Sequence, residues 1–267
     1  MRIATWNVNS IRARQERVVD WLQRSQTDVL AMQEIKCKPE QFPLAAFESA
    51  GYEVAIHGLN QWNGVAIASR VGLEDVQGHF PSQPAFGKPG QDEIVEARAL
   101  GATCGGVRVW SLYVPNGRGL DDPHYQYKLT FLSELRSAAR TWNEVPTALV
   151  GDFNVAPRTE DIWSEADGDA ATHITPEARA AFHSLEAAGY EELSRRFRPD
   201  PGTYTFWDYK QLRFPKGEGM RIDFMYASAS LAARAVDVGI ARNERKGKSP
   251  SDHVPVVLDI DVAGSPL

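Results

Sequence analysis

Apolar residues fall mostly in short runs, rich in Val, Ile, Trp and Tyr and bounded by Gly, Pro, Asn or Asp. That pattern predicts strands over 3–8, 29–33, 52–56, 64–69, 94–100, 107–114, 147–150, 222–227 and 254–260. Helical spacing interrupts it three times. Ser10 is placed as the cap of a helix that carries Ile11, Val18, Trp21 and Leu22 near one face. Over 125–142, Leu129, Leu132, Leu135 and Ala139 recur at helical spacing. A third helix over 176–188 has Thr175 as cap, Pro176 at its first position and Gly189 as its stop. Segments 83–91, 155–172 and 210–219 have no periodicity but carry aromatics and charges, as functional or mobile loops do. No linker or repeat divides the chain. The expectation is a single α/β domain over 1–262, two packed sheets with helices outside, and a frayed tail at 263–267.

Composition narrows the class. The 267 residues are 43 % hydrophobic and 24 % charged, enough for a core without disulfide staples. No apolar stretch of about 18 residues occurs, which excludes a membrane-spanning helix. The first residues lack the apolar run of a secretion signal. Cys37 and Cys104 have no metal-type spacing and read as reduced thiols, which places the protein in the cytoplasm. The net charge of −6 excludes non-specific coating of nucleic acid by the whole surface. It leaves open a nucleic-acid enzyme, since binding depends on the local field of one face.

The chemistry collects at the ends of six apolar runs. They lead into Asn7 and Asn9, Glu34, Tyr113 and Asn116, Asp152 and Asn154, Asp223, and Asp252 and His253. Asn and Asp are good turn formers, which accounts for any one of these sites. Six together are explained better by strand ends converging on one edge of a sandwich. Carboxylates, amides and one imidazole make a hard, oxygen-rich donor set suited to Mg2+ or Mn2+. The matching reaction is phosphate-ester hydrolysis. Carboxylates crowded into one cleft raise one another's pKa, which makes Asp152 a candidate general base. Asp252 is read as the partner that orients His253 and favours its charged form, so that the ring donates to the scissile phosphate.

Seven stretches resemble, in this order, the exonuclease III family of apurinic/apyrimidinic endonucleases, within the endonuclease/exonuclease/phosphatase superfamily. They are Thr5-Trp6-Asn7-Val8-Asn9-Ser10-Ile11-Arg12, Gln33-Glu34-Ile35-Lys36, Tyr113-Val114-Pro115-Asn116-Gly117 and Gly151-Asp152-Phe153-Asn154-Val155-Ala156-Pro157, then Tyr204-Thr205-Phe206-Trp207-Asp208-Tyr209, Arg221-Ile222-Asp223-Phe224 and Ser251-Asp252-His253-Val254-Pro255. The Gly-Asp-Phe-Asn and Ser-Asp-His stretches mark only the superfamily; the Trp-Asn-Val-Asn start and the Phe-Trp-Asp-Tyr to Arg-Ile-Asp block are narrower. The resemblance implies a four-layer α/β sandwich, two packed mostly antiparallel sheets flanked by helices. It implies cleavage of double-stranded DNA 5′ to abasic sites, with trimming of 3′ phosphates and 3′ ends. By the same resemblance Asn7 and Glu34 hold the metal with Asp252 nearby, and Asp152, Asn154 and His253 share its surroundings. Asp152 binds or deprotonates water that Asn154 orients, His253 contacts the phosphate with Asp223 behind it, and Tyr113 stabilises the phosphate or its leaving oxygen.

A base-free sugar is small and fairly apolar, so a tight pocket selects it by excluding bases. Phe206, Trp207 and Ile222 are candidates for that pocket, with a flexible Met220 beside it. Cations near the cleft in sequence are Arg12, Arg14, Lys36, Lys38, Arg118 and those of 242–248. With Asn9 and Asn116, Arg12, Lys36 and Arg118 are assigned to the DNA face, giving salt-sensitive affinity without sequence preference. The partner expected is double-stranded DNA with abasic sites or 3′ ends, bound by a monomer associated with the nucleoid through DNA, with no membrane partner. A phosphodiesterase acting on inositol or lipid phosphates and a non-catalytic DNA-binding protein are the competing readings.

Overall fold

The computed structural model describes residues 1–87, 90 and 92–261. Its strands are β1 (Arg2–Asn7), β2 (Val29–Gln33), β3 (Glu53–His57), β4 (Val65–Ser69), β5 (Glu74–Gln77), β6 (Ala99–Cys104), β7 (Val107–Tyr113), β8 (Thr147–Asp152), β9 (Tyr190–Glu192), β10 (Asp223–Ser228), β11 (Ala235–Ile240) and β12 (Val256–Ile260). They form two six-stranded sheets, ordered β11-β12-β1-β2-β4-β3 and β5-β6-β7-β8-β10-β9. Only β1–β2 and β7–β8 pair parallel, so both sheets are mostly antiparallel.

Period-two alternation builds the layers. Ile3, Val29, Ala31, Val109, Val150 and Met225 face inward and form the core between the sheets. Their neighbours Ala4, Trp6, Leu30 and Met32 face outward and meet Val18, Trp21 and Leu22 of helix α1 (Ile11–Ser25) and Phe47 of α2 (Leu44–Ser49). On the other side Trp110, Leu112, Leu149 and Phe224 meet Phe131, Leu132 and Leu135 of α3 (Pro123–Ala139) and Phe182 of α4 (Pro176–His183). Helix, sheet, sheet and helix make four layers. Each large apolar side chain buried in them contributes roughly 1.5–3 kcal/mol of transfer free energy.

Several boundaries differ from the sequence expectation for local reasons. Ser10 does not cap α1: its φ is 84° and its side chain makes no cap bond. Its N–H instead donates to the Glu34 carbonyl at 2.7 Å, hooking the start of α1 onto the end of β2. Thr175 does cap α4, accepting from the Ala178 N–H at 3.1 Å, but α4 ends at His183 and a short 3-10 turn runs to Ala188. Within 94–100 only the end is strand, and Ile94 forms an isolated bridge with Phe86. Strands β5, β9 and β11 are short or exposed edge pieces without a continuous apolar run. Among the described residues no helix is long and apolar enough to cross a membrane. The expected tail at 263–267 lies outside the described residues.

Candidate active site

Strand register brings the chemistry together. Asn7 at the end of β1 lies opposite Gln33, which precedes Glu34. Asp152 at the end of β8 lies opposite both Tyr113 of β7 and Asp223 of β10. The side-chain hydroxyl of Ser251, ahead of β12, donates to the Asn7 carbonyl at 2.7 Å and seats Asp252 and His253 beside the same edge. The edge demands unusual backbone. Asn9, Glu34, Lys36, Arg118 and Asn154 all have φ between 43° and 58°, a conformation that costs non-glycine residues on the order of 1 kcal/mol or more each. Gly151 makes the approach of β8 possible, since a Cβ there would collide with the Leu112 carbonyl.

The Asn7 amide joins the two acids nearest it. Its Nδ2 donates to Glu34 Oε1 at 2.8 Å and to Asp152 Oδ2 at 2.9 Å, while its Oδ1 accepts from the Asn9 N–H at 3.0 Å. His253 Nδ1 lies 2.9 Å from Asp223 Oδ2, and its Nε2 lies 3.8 Å from Asp152 Oδ2. Thr205 Oγ1 donates to the same Asp223 oxygen at 2.6 Å. The other Asp223 oxygen is buried without a hydrogen-bond partner. Oriented donor atoms of Glu34, Asp152 and His253 lie within 4.8 Å of one another.

Burial and neighbouring charge set the protonation states. Burial raises Asp152 to about 7; His253 pulls it down, while Asp223 and Glu34 push it further up. Burial also opposes a charged His253, but Asp223 and Asp152 outweigh it and lift the ring to about 10. Glu34 is held below the usual carboxylate range because Lys36, 2.8 Å away, and the Asn7 amide overcome its burial. The Tyr113 phenol is pushed well above its ordinary value by burial and then by Glu34, so it stays a hydrogen-bond donor.

Beside His253 opens a cavity of about 270 Å³ in which Phe206, Met220 and Ile222, with Trp163, are the apolar lining among charged side chains. The Phe206 ring centroid is 4.8 Å from that of His253. The cavity is smaller than the ~300–1,000 Å³ of drug-sized ligand sites.

The model of the Endonuclease/Exonuclease/phosphatase family matches residues 4–253. The chain belongs to that family. Its likeness is to the exodeoxyribonuclease III branch. Exodeoxyribonuclease III of Haemophilus influenzae is 29 % identical over 266 residues, 96 % of this chain and 98 % of that protein. An AP endonuclease structure from Archaeoglobus fulgidus superimposes with a TM-score of 0.89 at 35 % identity, covering 98 % of this chain and 100 % of the other. The 3′ phosphatase NExo from Neisseria, solved with a product DNA hairpin, gives 0.88 at 32 % identity, covering 98 % and 99 %.

In this member of the endonuclease/exonuclease/phosphatase family, Asn7, Glu34, Tyr113, Asp152, Asn154, Asp223 and His253 share one cleft edge, with Asn116 beside them. One expectation is corrected. The carboxylate bonded to His253 is Asp223, where the resemblance puts it, and not the adjacent Asp252, which accepts from Asn9 Nδ2 at 3.0 Å and adds only to the field that favours the charged ring. His253 contributes, with Glu34 and Asp152, one of the three donor atoms that come together. The Asn7 amide bridges two carboxylates, and in the Asn154 amide Nδ2 donates to the Val114 carbonyl at 2.9 Å while Oδ1 lies 3.1 Å from His173 Nε2 and 3.3 Å from Asn116 Nδ2. The Asn154 N–H donates to Asp152 Oδ1 at 2.9 Å, so Asn154 fixes the carboxylate.

Trp207 faces away from the cavity and packs on Phe214 and under Arg242. Much of the basic segment 242–248 is structural. Arg242 stacks on Trp207 and Phe214, Arg245 donates to the Trp207 carbonyl, and Glu244 pairs with Arg17 and Arg24. Arg12 and Arg118 are exposed, Arg12 over a separate hollow beside α1, and Lys36 is tied to Glu34 and, at 2.6 Å, to Asn9 Oδ1.

Four residues of this nuclease were missed in the sequence: Arg98, whose guanidinium lies 4.7 Å from the Tyr113 ring centroid, Lys128, His173 and Thr205. His173 is buried at the end of a 3-10 helix over Gly168–His173, which has no apolar periodicity to announce it, and bonds Asn154. Lys128 had a readable signal. The buried face of α3 runs through His124, Tyr127, Phe131, Leu132 and Leu135, which puts a lysine at a core position. Its Nζ donates to the carbonyls of Asn154, Thr172 and Asn116 at 2.6, 2.7 and 3.3 Å. Burial pushes its ammonium down to about 7, against the pull of Asp152. Lys128→Met strands these carbonyls and is expected to cost roughly 2–4 kcal/mol in urea unfolding. An unchanged midpoint would show that the ammonium does not hold the loop.

Proposed function

We propose that this nuclease is a DNA repair enzyme that hydrolyses phosphoester bonds of double-stranded DNA at abasic sites and at 3′ ends, with Mg2+ or Mn2+. One observation carries the reading. Glu34, Asp152 and the Asp223–His253 pair converge at one sheet edge, and that edge opens onto a small pocket with one apolar wall. The donor set fits a hard divalent cation: two carboxylates face each other across the Asn7 amide, and a third buried carboxylate keeps one oxygen unpartnered. Glu34 and Asp152 are the residues that hold the ion. When bound, it supplies positive charge to the phosphate oxygens.

The chain's own groups do the rest. Asp152, 3.8 Å from the His253 ring, accepts a proton from the attacking water. His253, kept charged by Asp223, donates from Nε2 to a phosphate oxygen. Tyr113, which stays protonated, donates to the phosphate or to the departing oxygen. Phe206, Met220 and Ile222 receive a sugar without its base, or the sugar at a chain end. The likeness to an AP endonuclease and to a 3′ phosphatase supports both substrate types.

Gel assays on abasic, 3′-phosphate and recessed-end duplexes test this. Cleavage is expected with Mg2+, none with EDTA, and recovery on adding excess Mg2+. Turnover of an inositol polyphosphate with every DNA substrate left intact would overturn the assignment.

A further inference from the structure

A second cleft of about 530 Å³ adjoins the catalytic pocket, and Tyr113 and Asn116 line both. Its apolar walls are Trp62, Phe86 and Ile94. Trp62 is 72 % exposed and Ile94 48 %, so water covers a large indole face at the edge of the site. Single exposed apolar residues are ordinary, but an apolar cleft continuous with a catalytic pocket marks a binding surface. The walls are braced. The Trp62 N–H donates to Asn60 Oδ1 at 2.8 Å, Phe86 bridges Ile94 through the backbone, and the Phe86 ring stacks on Tyr127 at 4.8 Å and 19°. Arg118 lies over the outer side of this wall, 5.6 Å from the Phe86 centroid.

The charges in the cleft balance. Arg98 and Arg118 are matched by Asp92 and Glu96. His124 stays neutral, because burial and then Arg98 and Arg118 push it down to about 3. A phosphate site would carry an excess of cations. Flat apolar faces with neutral surroundings suit a nucleobase, since every base offers a π-face to an aromatic side chain. We infer that this cleft is a nucleobase subsite: one unpaired base of the DNA strand stacks on Trp62 beside the phosphate that is cleaved. The inference rests on the nuclease reading above and adds to it a preference for ends or sites where a base has left the helix.

The test uses the full chain in EDTA with two duplexes, one bearing an unpaired 2-aminopurine at its 3′ terminus and one fully paired. The wild type is expected to quench the 2-aminopurine on binding. Trp62→Ala should abolish the quench and raise Kd for the unpaired duplex roughly 5- to 100-fold, the worth of one stacked base, while leaving the paired duplex unchanged. Trp62→Phe should restore most of both. Equal weakening on the two duplexes would overturn the inference and make Trp62 a backbone contact; no change on either would also overturn it. A parallel Mg2+ reaction separates the two readings. Cleavage without quench removes the subsite alone, quench without cleavage removes the nuclease reading alone, and absence of binding removes both.

Discussion

Asp152→Asn is expected to slow cleavage of a 3′-phosphate or abasic duplex by roughly 10²–10⁴-fold, the contribution of a positioned general base. The carboxylate is buried, lies 3.8 Å from His253, and is raised to about 7 chiefly by that burial. The amide cannot take a proton. The fold should survive: the amide oxygen still accepts from the Asn154 N–H, the bond from Asn7 is lost, and the repulsion from Glu34 and Asp223 is relieved. The net change in stability should stay within about 1–2 kcal/mol. Single-turnover cleavage together with urea unfolding checks both halves. Full activity in this variant would remove Asp152 from the chemistry.

Asp223→Asn should lower kcat by roughly 10²–10³-fold, as losing one charged donor to the transition state does. Asp223 acts through the ring it holds at 2.9 Å. Burial alone would make His253 neutral, and Asp223 with Asp152 raises it to about 10. A folded-state pKa above the ordinary 6.5 contributes stability that is fully present below pH 6.5. That contribution is lost as pH rises through about 10. In metal-free protein the His253 ring should titrate near pH 10 by NMR, and in Asp223→Asn its pKa should fall. Over the same window the wild type should lose its stability advantage over the variant as pH rises. A ring that titrates near 6.5 in both proteins would show that Asp223 does not hold its charge.

The layered fold was legible because its central strands are short, apolar and β-branched, and because Val18, Trp21 and Leu22 recur at helical spacing. The edge strands were not. Strand β5 is Glu-Asp-Val-Gln and exposed throughout, so nothing in its pattern separates it from a loop. The catalytic edge was legible where polar residues end apolar runs, as at Asn7, Glu34 and Asp152. Pairings across the edge were legible only through the resemblance, which puts Asp223 behind His253; adjacency in sequence favours Asp252, while register delivers Asp223. Trp207 shows the same limit: beside Phe206 in sequence, it points to the opposite side of the chain and packs against Phe214.

The Mg2+ dependence of cleavage in the wild type and in Glu34→Gln tests the shared-ion centre most directly. If Glu34 and Asp152 hold one ion across the Asn7 amide, the Mg2+ concentration for half-maximal rate should rise at least roughly tenfold in the variant, with the fold intact. The same half-maximal concentration in both proteins would place the ion elsewhere and contradict the site.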